Sequence, residues 1–171
     1  MKAVVSFLTS VTLLFGFADH IETFSADFVQ TVTDDTNKTI TYEGHLETMR
    51  PDRARWDYTS PVEKSVFIVG HTVTIIEPEL EQAIVKEFRD DIDLFRILEN
   101  ARPLGEGVFL AEHGSQKFLI KMKGDVLQAI SYLDAFENRI RIRFLHQKVN
   151  PPLEASALTP HIPEDFDVLT E

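Results

Sequence analysis

From Phe24 to Lys148 the chain alternates apolar and polar residues in short runs, and a polar or glycine turn interrupts them about every ten residues. A period of two sends successive side chains to opposite faces of an extended backbone, so each run is a strand with one face to bury. The cleanest run is Arg139 to Lys148, where Ile140, Ile142 and Phe144 oppose Arg139, Arg141 and Arg143. The run Arg50 to Pro61 holds the single tryptophan and sets Ala54, Trp56 and Tyr58 against Arg53, Arg55 and Asp57, between two prolines. In the first strand Phe24, Ala26, Phe28, Gln30 and Val32 share a face. Asp34 to Asn37 then make a turn, and Thr39 to Met49 is the second arm of a hairpin. Glu63 to Val69, Thr72 to Glu77 and Ala83 to Phe88 follow, and after an interruption come Val108 to Glu112, Lys117 to Met122 and Val126 to Asp134. Such spacing belongs to β-sandwiches and β-barrels, here with about ten strands.

The interruption is a change of period. From Asp90 to Asn100, Ile92, Leu94, Phe95, Ile97 and Leu98 recur at three and four, with Asp90, Asp91 and Asp93 in the first turn and Pro103 beyond the end. This predicts a short amphipathic helix, marginal in water alone, whose apolar face must rest on the sheet or on something the sheet holds. Two architectures are open on pattern. The default is a sandwich filled by its own side chains; the other is a sheet that curls without closing, with an apolar concavity the helix covers.

At 171 residues the chain is expected to be one domain with a core large enough to need no staples. A net charge of -11 argues against nucleic acid as a partner, because affinity for phosphate backbones comes from clustered Lys and Arg. The absence of cysteine removes disulfides, thiolate metal sites, cysteine nucleophiles and lipid attachment through an N-terminal cysteine. Residues 1–18 place Lys2 before an uncharged apolar run ending in Gly16, Phe17 and Ala18. That is the layout of a secretory signal peptide cleaved after Ala18, leaving 19–171 as the single domain.

Motifs for catalysis are weak. Glu43, His45 and Glu47 stand two apart on one strand face, a spacing that can present two carboxylates and an imidazole to a metal, although a solvated outer face explains them more simply. Ser115 beside His113 and Gly114 lacks the strand-to-helix elbow of a nucleophilic serine and reads as a turn. Arg139, Arg141 and Arg143 form a basic strip of the kind found on the wet face of an antiparallel sheet. No phosphate loop or paired-carboxylate motif is present, and no cofactor is expected.

The residues from Phe24 through Ala26, Phe28 and Gln30 to Thr31, then Gly44, then Arg50, Pro51, Trp56 and Pro61 resemble the LolA family of periplasmic lipoprotein carriers. Gly70, Glu77, Pro78 and Gln82 extend the likeness, and Ile162, Pro163 and Val168 resemble the family's closing segment. The resemblance implies an open antiparallel β-barrel under a helical lid, mainly β with a few short helices, sheltering the acyl chains of lipoproteins and catalysing nothing. It makes Arg50 the lid latch, a guanidinium whose fork of donors can satisfy several helix-end carbonyls at once. Cavity candidates are Phe28, Trp56, Tyr58 and Phe67, and the lid's apolar face is Ile92, Phe95 and Leu98. The implied partners are acylated lipoproteins, an inner-membrane ABC transporter that releases them and an outer-membrane acceptor, with the carrier a periplasmic monomer. The anchored receptors related to this family need an acylated cysteine, so its absence favours the soluble carrier. A periplasmic sensor domain of the same fold is the alternative. Two departures stand out: Ala54 replaces the family's bulky apolar residue two before the tryptophan, and cleavage after Ala18 leaves only Asp19 to Phe24 for the first helix.

Overall fold

The computed structural model describes residues 20–88 and 94–170; the apolar first segment and the start of the expected helix, Ile92 included, lie outside the described residues. The strands are β1 (Thr23–Thr33), β2 (Thr39–Met49), β3 (Arg53–Ser60), β4 (Lys64–Val69), β5 (Thr72–Glu77) and β6 (Gln82–Glu87). After the helix α1 (Leu94–Glu99) come β7 (Arg102–Gly105), β8 (Val108–His113), β9 (Gln116–Lys123), β10 (Val126–Leu133), β11 (Arg139–Val149) and β12 (Asp167–Thr170). All belong to one 12-stranded sheet in the order β12-β6-β5-β4-β3-β2-β1-β11-β10-β9-β8-β7. It is two meanders joined where β1 pairs antiparallel with β11. The terminal strands β12 and β7 do not pair with each other, so the sheet curls without closing. The strand missing from the sequence analysis is β7, and of β12 only the start falls in the short last segment that the pattern offers, Pro163 to Val168 with Phe166 and Val168 on one face. Both are four exposed residues with no alternation, and β7 contains the Pro103 that reads as a helix stop.

Two hairpins turn by the same device. Asp34 Oδ1 accepts the backbone N–H of Thr36 and Lys38 and the Thr36 hydroxyl, and Asn37 takes a φ of 64°. In the β10–β11 turn Asp134 Oδ1 accepts the N–H of Phe136 and Asn138, and Glu137 takes a φ of 64°. In each turn the carboxylate satisfies backbone donors that have no strand partner, and hydrogen bonding lowers the pKa of both aspartates, led by the Thr36 hydroxyl for Asp34 and by the Asn138 side-chain amide for Asp134.

The inner face carries the main core. Phe24, Ala26 and Phe28 of β1, Leu46 of β2, and Ile140, Ile142 and Phe144 of β11 bury there with Phe95, Ile97 and Leu98 of α1. Gly44 makes this packing possible. A Cβ at that position would lie 2.6 Å from the Phe28 ring and 2.1 Å from the Asp57 carbonyl oxygen, so only glycine lets β2 pass over the phenyl group. At six residues, α1 is held by this packing and by Asn100, whose side-chain amide donates to the Arg96 carbonyl.

The outer face of β4–β6 carries a second, smaller core of Phe67, Ile76 and Ala83, capped by Ile162 and Phe166 from the C-terminal segment. That segment crosses β3 through a one-turn 3-10 helix at Ala155–Leu158. Arg53 donates to the Thr159 hydroxyl and Arg55 to the Ala157 carbonyl, before the chain joins β6 as the parallel strand β12.

Candidate functional site

Between the sheet and α1 lies an apolar cavity of about 130 Å³. One wall is Leu46, Thr48, Ala54, Trp56 and Ile68 from β2–β4; the other is Phe118, Ile130, Tyr132 and Ile142; Leu94 and Ile97 form the roof. The space exists because Thr48 and Ala54, directly paired across β2 and β3, are both small. Thr48 is fully buried, yet its hydroxyl donates to the Arg53 carbonyl at 2.8 Å, so its hydrogen-bonding need is met by backbone. Burial raises the pKa of the Tyr58 and Tyr132 phenols, keeping both neutral, and Tyr58 donates to Gln30 Oε1 at 2.9 Å. Among the described residues no charged side chain lines the cavity.

The structure separates the four expected cavity residues. Trp56 lines the space. Phe28 lies at its edge in the core, its ring edge-on to Trp56 and to Tyr58, each with centroids 5.1 Å apart. Tyr58 is half-buried beside it and does not line the cavity. Phe67 must be corrected: it sits on the opposite, outer face, in the second core. The cause is register. Phe67 pairs with Arg55 and so shares the outer face of β3, whereas Val66 pairs with the inward Trp56. Of the expected lid face, Phe95 and Leu98 are buried in the core while Leu94 and Ile97 meet the cavity; Ile92 lies outside the described residues.

Arg50 joins α1 to the sheet through a residue that the sequence analysis did not single out. Its Nε donates to the carbonyl of Ile21, in the segment entering β1, at 2.7 Å. Its Nη1 lies 2.6 Å from Glu99 Oε1 at the end of α1, and its guanidinium lies 4.6 Å from the centre of the Phe95 ring. The acidic end of the helix thus supplies one partner of the guanidinium, a side-chain carboxylate. Glu99 was missed because the reading weighed only the apolar face of the helix.

On the outer face Ser25 Oγ lies 3.0 Å from His45 Nε2, His45 Nδ1 2.7 Å from Asp27 Oδ1, and His146 Nδ1 2.8 Å from Asp27 Oδ2. The series has the order of a serine nucleophile, base and orienter, but Ser25 is 5% exposed, which leaves a substrate no approach to its hydroxyl. It acts as a tie across β2, β1 and β11 at the bulge that turns His146 to a φ of 51°. The hydrogen bonds from the two histidines lower the pKa of Asp27. Glu43, His45 and Glu47 therefore do not act together, and among the described residues no group of His, Asp and Glu has the geometry of a metal site.

Fold and site together define a class: an unclosed antiparallel β-barrel with an apolar cavity roofed by a short helix that an arginine clasps. The family model described as outer membrane lipoprotein carrier protein LolA matches residues 19–96. An outer-membrane lipoprotein carrier protein of Campylobacter jejuni is 30% identical over 168 residues, 98% of each chain. Another, of Wolinella succinogenes, is 31% identical over 90% of each. The chain belongs to the LolA family of outer-membrane lipoprotein carrier proteins. Its fold is also that of an uncharacterized conserved protein from Thermus thermophilus (TM-score 0.56, 14% identity, covering 91% of this chain and 97% of the other). A LolA superfamily protein from Nitrosomonas europaea shares it too (TM-score 0.50, 8% identity, 86% and 96%).

Proposed function

We propose that this protein is a periplasmic carrier. It takes acylated lipoproteins released from the inner membrane by an ABC transporter, shelters their acyl chains beneath α1, and yields them to an outer-membrane acceptor. On this reading residues 1–18 direct export, the mature chain works as a monomer, and it performs no catalysis. The observation that supports it most is the apolar cavity whose roof is tied to the sheet by a polar clasp at Arg50.

Magnitudes favour a carrier with a lid. A sixteen-carbon chain resists leaving a membrane by on the order of 12 kcal/mol, from roughly 0.8 kcal/mol per methylene. A cavity of 130 Å³ is close to one that holds benzene, so an acyl chain enters only if α1 moves outward. The polar clasp on α1 is modest by comparison, and the larger hold, burial of Phe95, Ile97 and Leu98, is one that an entering acyl chain replaces with its own apolar contacts. A partly exposed ion pair contributes up to about 1 kcal/mol, and an arginine over an aromatic ring about as much again. Burial of even a few methylenes outweighs the clasp. The clasp in turn favours the empty form, so it weakens cargo binding and aids hand-over.

The test is release. Mature protein is incubated with spheroplasts bearing labelled lipoproteins, and the soluble fraction is examined for complexes with wild type and with Arg50→Leu. Soluble complexes with wild type, and altered retention or hand-over by the variant, are expected. No solubilised lipoprotein with either form overturns the carrier reading.

A further inference from the structure

The outer face of β8–β11 has a composition at odds with the rest of the molecule. In a chain of net charge -11, Arg139, Arg141 and Arg143 of β11 and Lys117, Lys121 and Lys123 of β9 all project outward and are exposed. Register draws the two strands' residues into rows. Arg143 stands beside Ala129, which stands beside Lys121; Arg141 stands beside Ser131, which stands beside Leu119; Arg139 stands beside Leu133. Because β10 contributes only small or apolar side chains to these rows, the cations of β9 and β11 face each other across it without neutralisation. Glu112, ion-paired to Lys117 at 3.7 Å, Asp125 and Glu137 in the hairpin turns, and Glu43, which stands beyond Val29 in the row of Arg143, are acids at its border, and Asp134 is committed to its own turn. Among the described residues no carboxylate pairs with Arg141, Arg143, Lys121 or Lys123. Arg141 and Arg143 line a shallow groove with Val29 and Thr31.

Apolar groups interleave with this charge. Leu119 is 48% exposed, Leu133 52%, and Phe136, at the tip of the β10–β11 hairpin beside Leu133, 86%. Among the described residues none covers them, in contrast to the outer face of β4–β6.

We propose that this face docks the protein on a membrane surface rich in anionic phospholipid headgroups, with Arg141 and Arg143 receiving phosphates and Phe136, Leu133 and Leu119 entering the headgroup layer. The choice of occupant follows from charge and shape. A broad, open array of cations on a negatively charged protein matches an extended anionic surface, and each cation near such a surface adds to attraction within a Debye length. Exposed leucines and a protruding phenylalanine match the apolar layer just below the headgroups, which an acidic polypeptide does not offer. The inference is independent of what the cavity holds, since the face lies on the other side of the sheet from α1.

The experiment is vesicle co-flotation of the full chain with phosphatidylcholine vesicles and with vesicles carrying about a third phosphatidylglycerol. Wild type is compared with Arg141→Gln/Arg143→Gln and with Phe136→Ser; all three share the first eighteen residues, so differences belong to the face. Stronger binding to anionic vesicles is expected, weakened roughly thirty-fold by the double substitution and similarly by half-molar salt. Phe136→Ser is expected to weaken it several-fold with charge unchanged. Matching thermal melts establish that the variants fold. Equal flotation of wild type and the double variant overturns the proposal. So does wild type that binds soluble polyglutamate but not anionic vesicles, which identifies the occupant as an acidic protein.

Discussion

The outer face of the sheet is finished in opposite ways at its two ends. On β4–β6 the outward Phe67, Ile76 and Ala83 are covered by Ile162 and Phe166, and this end is a second core. On β8–β11 the outward Leu119 and Leu133 stay exposed among lysines and arginines. Local sequence is similar in kind, a strand with an apolar residue on its polar side. What differs is long-range: the last residues of the chain return to β6 as a parallel strand and bring their own cover. An apolar residue on an outer face is thus core or surface according to where a distant segment lands.

The sharpest way to break this comparison is to empty each core separately. Phe28→Ala removes a ring that is 1% exposed and packed edge-on to two aromatics, and is expected to cost about 3–5 kcal/mol in urea unfolding. Phe67→Ala belongs to a smaller cluster and is expected at about 2–3 kcal/mol. The two differ in more than size. Phe67→Ala should hasten proteolysis between residues 152 and 170 and leave uptake of an apolar dye unchanged; Phe28→Ala should alter dye uptake. Reduced dye uptake by Phe67→Ala, with protection of the C-terminal segment intact, would place Phe67 in the cavity after all.

How far the sequence was legible follows the same division. Period-two alternation placed β2 to the residue and oriented Ala54, Trp56 and Tyr58 correctly, because those strands pair with near neighbours and their faces follow parity, and dense β-branched content placed β5. The Asp34 turn was legible because the side chain satisfies its own backbone. Phe67 was misassigned because the parity of β4 is set by its pairing with β3, and the composition KSVFIV offers an apolar residue on either face. β12 was legible only at its start, in the segment ending at Val168, because a parallel edge strand of four exposed residues has no pattern of its own. Arg50 was singled out by family resemblance. Its partner Glu99 lies 49 residues away and emerges only when α1 is laid on the sheet.

Next in size is the cavity itself. Ala54→Leu puts a branched side chain into the gap opposite Thr48, beneath Leu94 and Ile97. Partial filling offsets the strain of added methylenes, so stability should move by less than about 1.5 kcal/mol in either direction. Binding of an apolar dye or a fatty acid should fall about ten-fold, a change of about 1.4 kcal/mol. Unchanged binding with an unchanged melt would mean that ligand does not occupy this space.

The smallest expected effect tests whether the outer face between the two ends is tied by charge. Asp27 is held below the ordinary carboxylate value of 3.8, first by the hydrogen bond from His146 and then by that from His45. A carboxyl group whose pKa is lower folded than unfolded stabilises the fold above its unfolded value, and loses that stabilisation as pH falls through the folded one. The side chains are 41% to 80% exposed, so solvent screening keeps the contribution below about 1 kcal/mol. Asp27→Asn should therefore be less stable than wild type at pH 5 to 7, by up to about 1 kcal/mol, with the gap closing below about pH 4 as the wild-type carboxylate takes its proton. Urea unfolding of both proteins at pH 7, 5, 4 and 3 measures the gap. If it persists undiminished at pH 3, shape rather than charge holds β1 to β11 at the His146 bulge. In that case the tie resembles the packed end of the face more than the electrostatic one.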